Sequence, residues 1–241
     1  MNETQRINKY LSTHGYCSRR EADRLVKQGK VFINDEQARL GDTVGPKDEV
    51  RVLGRDKKYR PRKAYILLHK PVGVSTSLNR KHGTNVLDLV DLPERVFPVG
   101  RLSSYSSGLV ILTNDGVLSN RLTNPRIGYE KEYVVEIDRP ISTLDIGKLQ
   151  GGFELNGTRT QETKVRLLEP TRFAIILHGG QSRLINQMCE SLGYEVVSIM
   201  RTRIGTLKMP TTYPIGNYRH LAEKEVRDLK KLVGLDPDKR G

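Results

Sequence analysis

The chain has 241 residues, 41 of them Lys or Arg against 28 Asp or Glu, for a formal net charge of +13 and an isoelectric point near 9.8. That balance favours a polyanionic partner, nucleic acid first, while the lack of any apolar run of about 18 residues excludes a membrane-spanning helix and the polar opening MNETQRINKY lacks the apolar core of a secretory leader. Two cysteines, Cys17 and Cys189, exclude a disulfide framework or a cysteine-built metal cluster and fit a reducing, cytoplasmic compartment.

Residues 1 to about 55 read as a short α/β unit. Ile7, Tyr10 and Leu11 recur at helical spacing. Ser18-Arg-Arg-Glu21 has the form of a capping box, in which the serine oxygen accepts a backbone N–H and the glutamate reaches back. Ala22, Leu25 and Val26 supply the apolar face of a second helix, and Gly29 its stop. Val31 to Ile33 predicts a strand, Asn34-Asp35 a turn, and Glu49 to Val52 a returning strand. Arg20, Arg24 and Lys27 fall on one side of the second helix, away from its apolar face, with Arg19 beside them and Arg6 and Lys9 on the first helix. Cations on a rigid frame suit phosphate contacts, although a solvated helix face shows the same pattern.

The stretch GRDKKYRPRK, Gly54 to Lys63, is basic and turn-rich and reads as an exposed linker, with 56–63 as its core. From residue 64 to 241 the chain is strand-rich. Strands are expected at Tyr65–His69, Leu109–Thr113, Lys131–Ile137, Lys164–Leu168 and Arg172–Leu177, and helices at Val117–Leu122, Thr143–Leu149, Arg183–Leu192 and Ala222–Leu232. Ile185, Met188 and Leu192 form a stripe for burial, and Asn-Asp115-Gly reads as a tight turn. Strands mixed with segregated helices give an α+β sheet domain.

Both segments resemble known families. RINKYLSTHGYCSRREADRLVKQGKVFIN, within residues 5–53, is similar to the alpha-L RNA-binding motif, which implies RNA contacts through Arg6, Lys9, Ser18, Arg19, Arg20, Arg24 and Lys27. HKPVGVST (69–76), FPVGRLSSYSSGLVILTNDG (97–116), KEYVVEI (131–137), GGQSRLINQMCESLGYEV (179–196) and RTRIGTLKMP…YPIGNYRHL (201–221) resemble the Rsu-type ribosomal RNA pseudouridine synthases. The resemblance implies a mixed or antiparallel sheet with flanking helices, no cofactor and no metal, and a monomer acting on structured RNA, ribosomal RNA above all. It also implies that Arg101 takes part in extruding the target nucleotide and that Tyr133 stacks on its base. A strand aromatic packed in the core is the alternative for Tyr133. Lys131 reads either as a positive charge near the pocket or as a solvated strand-edge charge. Lys70-Pro-Val-Gly73 reads as a turn with the glycine in an unusual backbone conformation.

The family pattern is broken where its chemistry resides. Pseudouridine formation breaks the N-glycosidic bond of a uridine, turns the base and joins C5 to the sugar, with one aspartate helping to form a sugar intermediate. A carboxylate is anionic at neutral pH, whereas a serine hydroxyl stays a weak nucleophile unless a base activates it. The residue after Gly-Arg-Leu is Ser103, and the loop SSYSS holds no carboxylate, with Tyr105 where the family generally has an acid. Arg183 of the family's Asn-Arg-Gln-(Ile/Val)-Arg-Arg-Met is kept, but Asn186 and Gln187 replace two arginines, the first of which partners the family aspartate. A buried arginine without its anion is costly. Coupled loss of both charges, with Asn186 facing Ser103 as a neutral pair, is therefore expected, and the chain reads as an RNA-binding protein with a non-catalytic site. The alternative is an active synthase that uses another group, for which His69, His82 and His178 are the bases the sequence offers Ser103.

Overall fold

The computed structural model describes residues 4–54, 62–79, 83–124, 127–152, 154–155, 158–159, 161–178 and 182–235. The chain divides into two compact units that meet in sequence between Lys63 and Ala64. Most of the expected linker, residues 55–61, lies outside the described residues.

In the first unit β1 (Gln5–Arg6) leads into α1 (Ile7–Thr13), followed by α2 (Arg19–Lys27), β2 (Val31–Ile33), β3 (Glu36–Gln37), β4 (Thr43–Val44) and β5 (Val50–Val52). The order β3-β2-β5 makes an antiparallel sheet, and β1 pairs with β4. Ile7, Tyr10 and Leu11 of α1 meet Ala22, Leu25 and Val26 of α2 over Val31, Val50 and Val52. Asn34 and Asp35 both take positive φ, 48° and 67°, in the two-residue hairpin joining β2 to β3, the backbone that a right-twisted ribbon prefers. Gly29 ends α2 at φ 67°, with Lys30 N–H reaching back to the Leu25 carbonyl.

The serine half of the predicted capping box forms at the N-cap of α2. Ser18 Oγ accepts the Glu21 N–H at 3.2 Å, and the Glu21 carboxylate pairs with Arg24. Removing that acceptor strands a helix-end donor, so Ser18→Ala is expected to cost this unit about 1 kcal/mol in a denaturant titration.

The second unit carries β6 (Tyr65–Lys70), β7 (Phe97–Pro98), β8 (Ser107–Thr113), α3 (Gly116–Thr123), β9 (Glu130–Ile137), α4 (Thr143–Gly151), β10 (Glu154–Leu155), β11 (Thr158–Arg159), β12 (Lys164–Glu169), β13 (Arg172–His178), α5 (Ser182–Ser191), β14 (Val196–Ile204), β15 (Leu207–Lys208), β16 (Tyr218–His220) and α6 (Glu223–Leu232). Its large sheet runs β12-β13-β9-β14-β8-β6-β16, with β7 added to β8 and β15 to β14. Neighbours along this path are antiparallel except β14 and β8, which are parallel.

Strand alternation gives the sheet two buried faces. On one, Ile66, Leu68, Val110, Leu112, Tyr133, Val135, Phe173, Ile175 and Ile199 pack with Leu149 of α4 and Ile185, Met188 and Cys189 of α5. On the other, Leu67, Leu109, Ile111 and Ile204 pack with Leu118 and Leu122 of α3 and Leu229 of α6. Cys17 and Cys189 are both buried; burial, before the effect of Glu190, pushes Cys189 up to about 12. No described helix is long and apolar enough to cross a membrane.

The sequence reading missed β14, an interior strand of this sheet. Arg201 and Arg203 interrupt its apolar pattern, and register shifts at Val196/Ser198 and Arg201/Arg203 break the period of two.

Candidate functional site

The loop from Arg101 to Ser106 is fastened from several sides. Thr76 Oγ1 donates to the Leu102 carbonyl at 3.1 Å and lies 3.3 Å from the Leu102 N–H, which it accepts. Gly73 N–H donates to the Ser104 carbonyl at 2.8 Å, and Ser106 N–H to that of Ser103 at 3.2 Å. Ser103 Oγ accepts the Tyr105 N–H at 3.2 Å, a local turn of the kind serine makes with the second amide on. Ser103 is half-buried, while Arg101 and Tyr105 are exposed.

Behind the loop a single cross-strand row runs through the sheet. Lys70 of β6 registers with Gly108 of β8, Gly108 with Arg201 of β14, and Arg201 with Tyr133 of β9. Arg201 is 2% exposed. Its Nε donates to the Leu109 carbonyl at 2.8 Å and its Nη1 to the Arg101 carbonyl at 3.2 Å. This guanidinium therefore ties the loop to the sheet two residues before Ser103. Its Nη2 is buried without a partner among the described residues.

Lys70 is fully buried and crosslinks its own turn, donating to the Pro71 and Val74 carbonyls at 2.7 and 2.9 Å. Gly73 in that turn has φ 86°, so Lys70-Pro-Val-Gly is a structural device, as read from the sequence. Burial first, then the nearby Arg201 charge, lowers Lys70 to about 8. The same two causes lower Lys131 to about 8. Lys131 lies on an interior strand with its Nζ 5.4 Å from the Tyr129 ring centre; the solvated-edge alternative does not hold. Tyr133 is 1% exposed and belongs to the core cluster as well as to this row.

Other sequence expectations need correction. Asn186 does not hydrogen-bond to Ser103: its Oδ1 is buried with no partner among the described residues, and the Ser103 oxygen accepts the Tyr105 N–H. Arg183 is exposed. Asp115 is the N-cap of α3 rather than a turn residue. Its Oδ1 accepts from Val117 and Leu118 N–H at 3.2 and 3.3 Å, and its Oδ2 accepts from the Tyr65 hydroxyl at 2.8 Å, so this carboxylate is committed to structure. His69 directly precedes Lys70 in β6 and so faces the opposite side of the sheet, its Nδ1 2.7 Å from the Tyr213 carbonyl. His178 is exposed, 3.3 Å from the Gly128 carbonyl. His82 lies outside the described residues. Arg201 opens one of the family segments quoted from the sequence but was assigned no role there; only its place in a strand rich in β-branched residues could have marked it for burial.

In the first unit Arg6, Lys9, Arg20 and Lys27 are exposed and form no ion pair among the described residues. Arg19 reaches Asn8 Oδ1 at 3.4 Å, and Asn8 in turn donates to Asp23 at 2.8 Å, which joins α1 to α2. Arg24 is partly neutralised by Glu21, and the Ser18 hydroxyl serves the cap. Among the described residues no group of three or more His, Cys, Asp or Glu gathers to hold a metal.

Residues 64–200 match the family model described as RNA pseudouridylate synthase, and residues 5–50 match the S4 domain. The chain is 42% identical to the dual-specificity RNA pseudouridine synthase RluF of Escherichia coli (strain K12), over 95% of this chain and 79% of that protein. The chain belongs to the RNA pseudouridine synthase family. Within that family it is also 32% identical to the ribosomal large subunit pseudouridine synthase B of Bacillus subtilis (strain 168), over 95% and 97% of the two chains. A crystal structure of a pseudouridylate synthase covers 93% of this chain and 99% of its own with a TM-score of 0.68 at 26% identity. The Rsu-type synthase domain behind an alpha-L, or S4, domain expected from the motifs is therefore what the chain contains.

Proposed function

We propose that this synthase relative binds structured RNA, ribosomal RNA above all, without isomerising a uridine, and does so as a cytoplasmic monomer serving ribosome assembly. The observation that carries the reading is the loop at Ser103. From Val96 to Asn114 the chain has no Asp or Glu, and the Ser103 hydroxyl is engaged by the Tyr105 amide. A hydroxyl needs a base to become a nucleophile, and among the described residues no imidazole hydrogen-bonds to Ser103. Asp115 is spent on capping α3.

The scaffold for RNA persists. Exposed Arg6, Lys9, Arg20 and Lys27 project from the S4 helices, and each phosphate neutralised releases counterions, so affinity falls steeply with salt. Arg20→Ala and Lys27→Ala are each expected to weaken binding for all RNA sequences alike and to reduce the slope of log affinity against log salt by about one. Fluorescence anisotropy over a salt series measures this.

The deciding experiment incubates purified protein with ribosomal RNA at low salt and maps pseudouridine chemically. Binding without product is expected; stoichiometric conversion of one uridine overturns the reading. The second reading, an active synthase with another group in the aspartate's role, is favoured by retention of Arg101 and of Tyr133 beside Arg201, and that same conversion would establish it.

A further inference from the structure

The residue that stands where the family pattern has an acid is the most exposed large apolar side chain among the described residues: Tyr105, at 84%. An aromatic ring left in water on a loose loop would say little. This loop is held by Thr76, Gly73 and Arg201, and the backbone of Tyr105 itself is pinned to the Ser103 hydroxyl. The ring is thus presented by a fixed backbone. Beside it, across the Gly73 to Ser104 hydrogen bond, stands Val72, 60% exposed. The two loops that form this rim hold no carboxylate: residues 69–87 and 96–114 contain neither Asp nor Glu, while Arg101 is an exposed cation among them.

A rigid aromatic platform in a cationic, carboxylate-free surrounding matches the chemistry of an unpaired nucleobase with its phosphates. Proteins read single-stranded RNA by stacking bases on Tyr, Phe or Trp while Lys and Arg track the backbone. A carboxylate in the place of Tyr105 would repel the phosphates; the exchange removes that repulsion and adds a π-face. We propose that Tyr105 is a stacking platform for an unpaired base of the bound RNA, and that Ser103, through its hydrogen bond to the Tyr105 amide, is the residue that positions it. The inference rests on the reading of the chain as an RNA-binding protein and adds which kind of nucleotide it seeks at this rim.

The test compares two synthetic RNAs of equal length, a hairpin with a uridine-bearing loop and a blunt duplex, each titrated with the full chain over a salt series. Tyr105→Ala is expected to weaken the hairpin about tenfold, to leave the duplex within about twofold, and to leave the salt slope unchanged, since no phosphate contact is lost. Tyr105→Phe should keep the native affinity to within about twofold, because the ring and not the hydroxyl stacks. A fluorescent adenine analogue in the hairpin loop should be quenched by the native chain and not by Tyr105→Ala. Native binding with no effect of Tyr105→Ala on the hairpin overturns the platform alone, as does an equal loss on hairpin and duplex. A native chain that binds neither RNA overturns the platform together with the RNA-binding reading.

Discussion

The double variant Ser103→Asp/Asn186→Arg is expected to form pseudouridine at least roughly 10³ times faster than the native chain, a gain in proportion to what removal of a nucleophile costs an enzyme. The expectation follows from charge. Aspartate is ionised at neutral pH and needs no base, whereas the Ser103 hydroxyl is neutral. In the family pattern that anion has an arginine partner, and the resemblance puts Asn186 in that partner's place. Its carboxamide oxygen is buried without a partner among the described residues, a condition that costs on the order of 1–3 kcal/mol by itself. Ser103→Asp alone places a carboxylate in a half-buried loop without the arginine that partners it in the family pattern, so the single exchange should give less product than the pair. Asn186→Arg alone buries a charge with no anion, which destabilises. Product is scored by chemical mapping of a ribosomal RNA transcript, and folding by circular dichroism. A folded double variant that binds RNA and makes no product would show that the pocket differs from an active one in more than these two positions.

The sequence revealed what is local or periodic. Helices α1 and α2 were legible because Ile7, Leu11, Ala22, Leu25 and Val26 repeat at helical spacing and Ser18 and Gly29 punctuate them. Strands β8, β9 and β13 were legible as short β-branched runs. What escaped was long-range. Strand β14 was hidden by its two arginines, whose placement depends on partners 70 to 100 residues away: Arg203 lies between Glu130 and Glu132 on one face, and Arg201 turns to the other to hold the Arg101 and Leu109 carbonyls. No local pattern distinguishes those two fates. The same holds for Asp115, whose turn-like Asn-Asp-Gly setting conceals a helix cap completed by Tyr65, 50 residues earlier. The expected Asn186–Ser103 pair failed for the opposite reason. The Ser103 oxygen instead accepts the Tyr105 N–H within its own loop, the short-range bond that serine commonly makes.

Gly108→Ala is expected to destabilise the second unit by roughly 3–5 kcal/mol, the largest effect of any one-carbon addition in the cross-strand row. Gly108 sits where β8 and β14 run parallel, the junction of Met200 with Ser107 and Arg201 with Gly108. Its φ is 111°, outside what L side chains readily adopt, which costs about 1–3 kcal/mol for a non-glycine residue. A β-carbon there would also lie 2.5 Å from the Arg201 nitrogen and 2.9 Å from its carbonyl carbon, and closer still to its oxygen. These are backbone atoms of an interior strand, so relief requires the two strands to part, at an overpacking cost of about 1–3 kcal/mol. Parting would carry Arg201 away from the Arg101 and Leu109 carbonyls and loosen the loop that presents Tyr105. Gly73→Ala separates the two contributions. Gly73 has a similar positive φ, 86°, but no atom lies within 4 Å of its added carbon, so it should lose only about 1–2 kcal/mol. Guanidinium unfolding of both variants measures the difference. Equal losses at the two glycines would mean that β8 and β14 separate freely, and the row from Lys70 to Tyr133 would then not be the rigid support on which the loop depends.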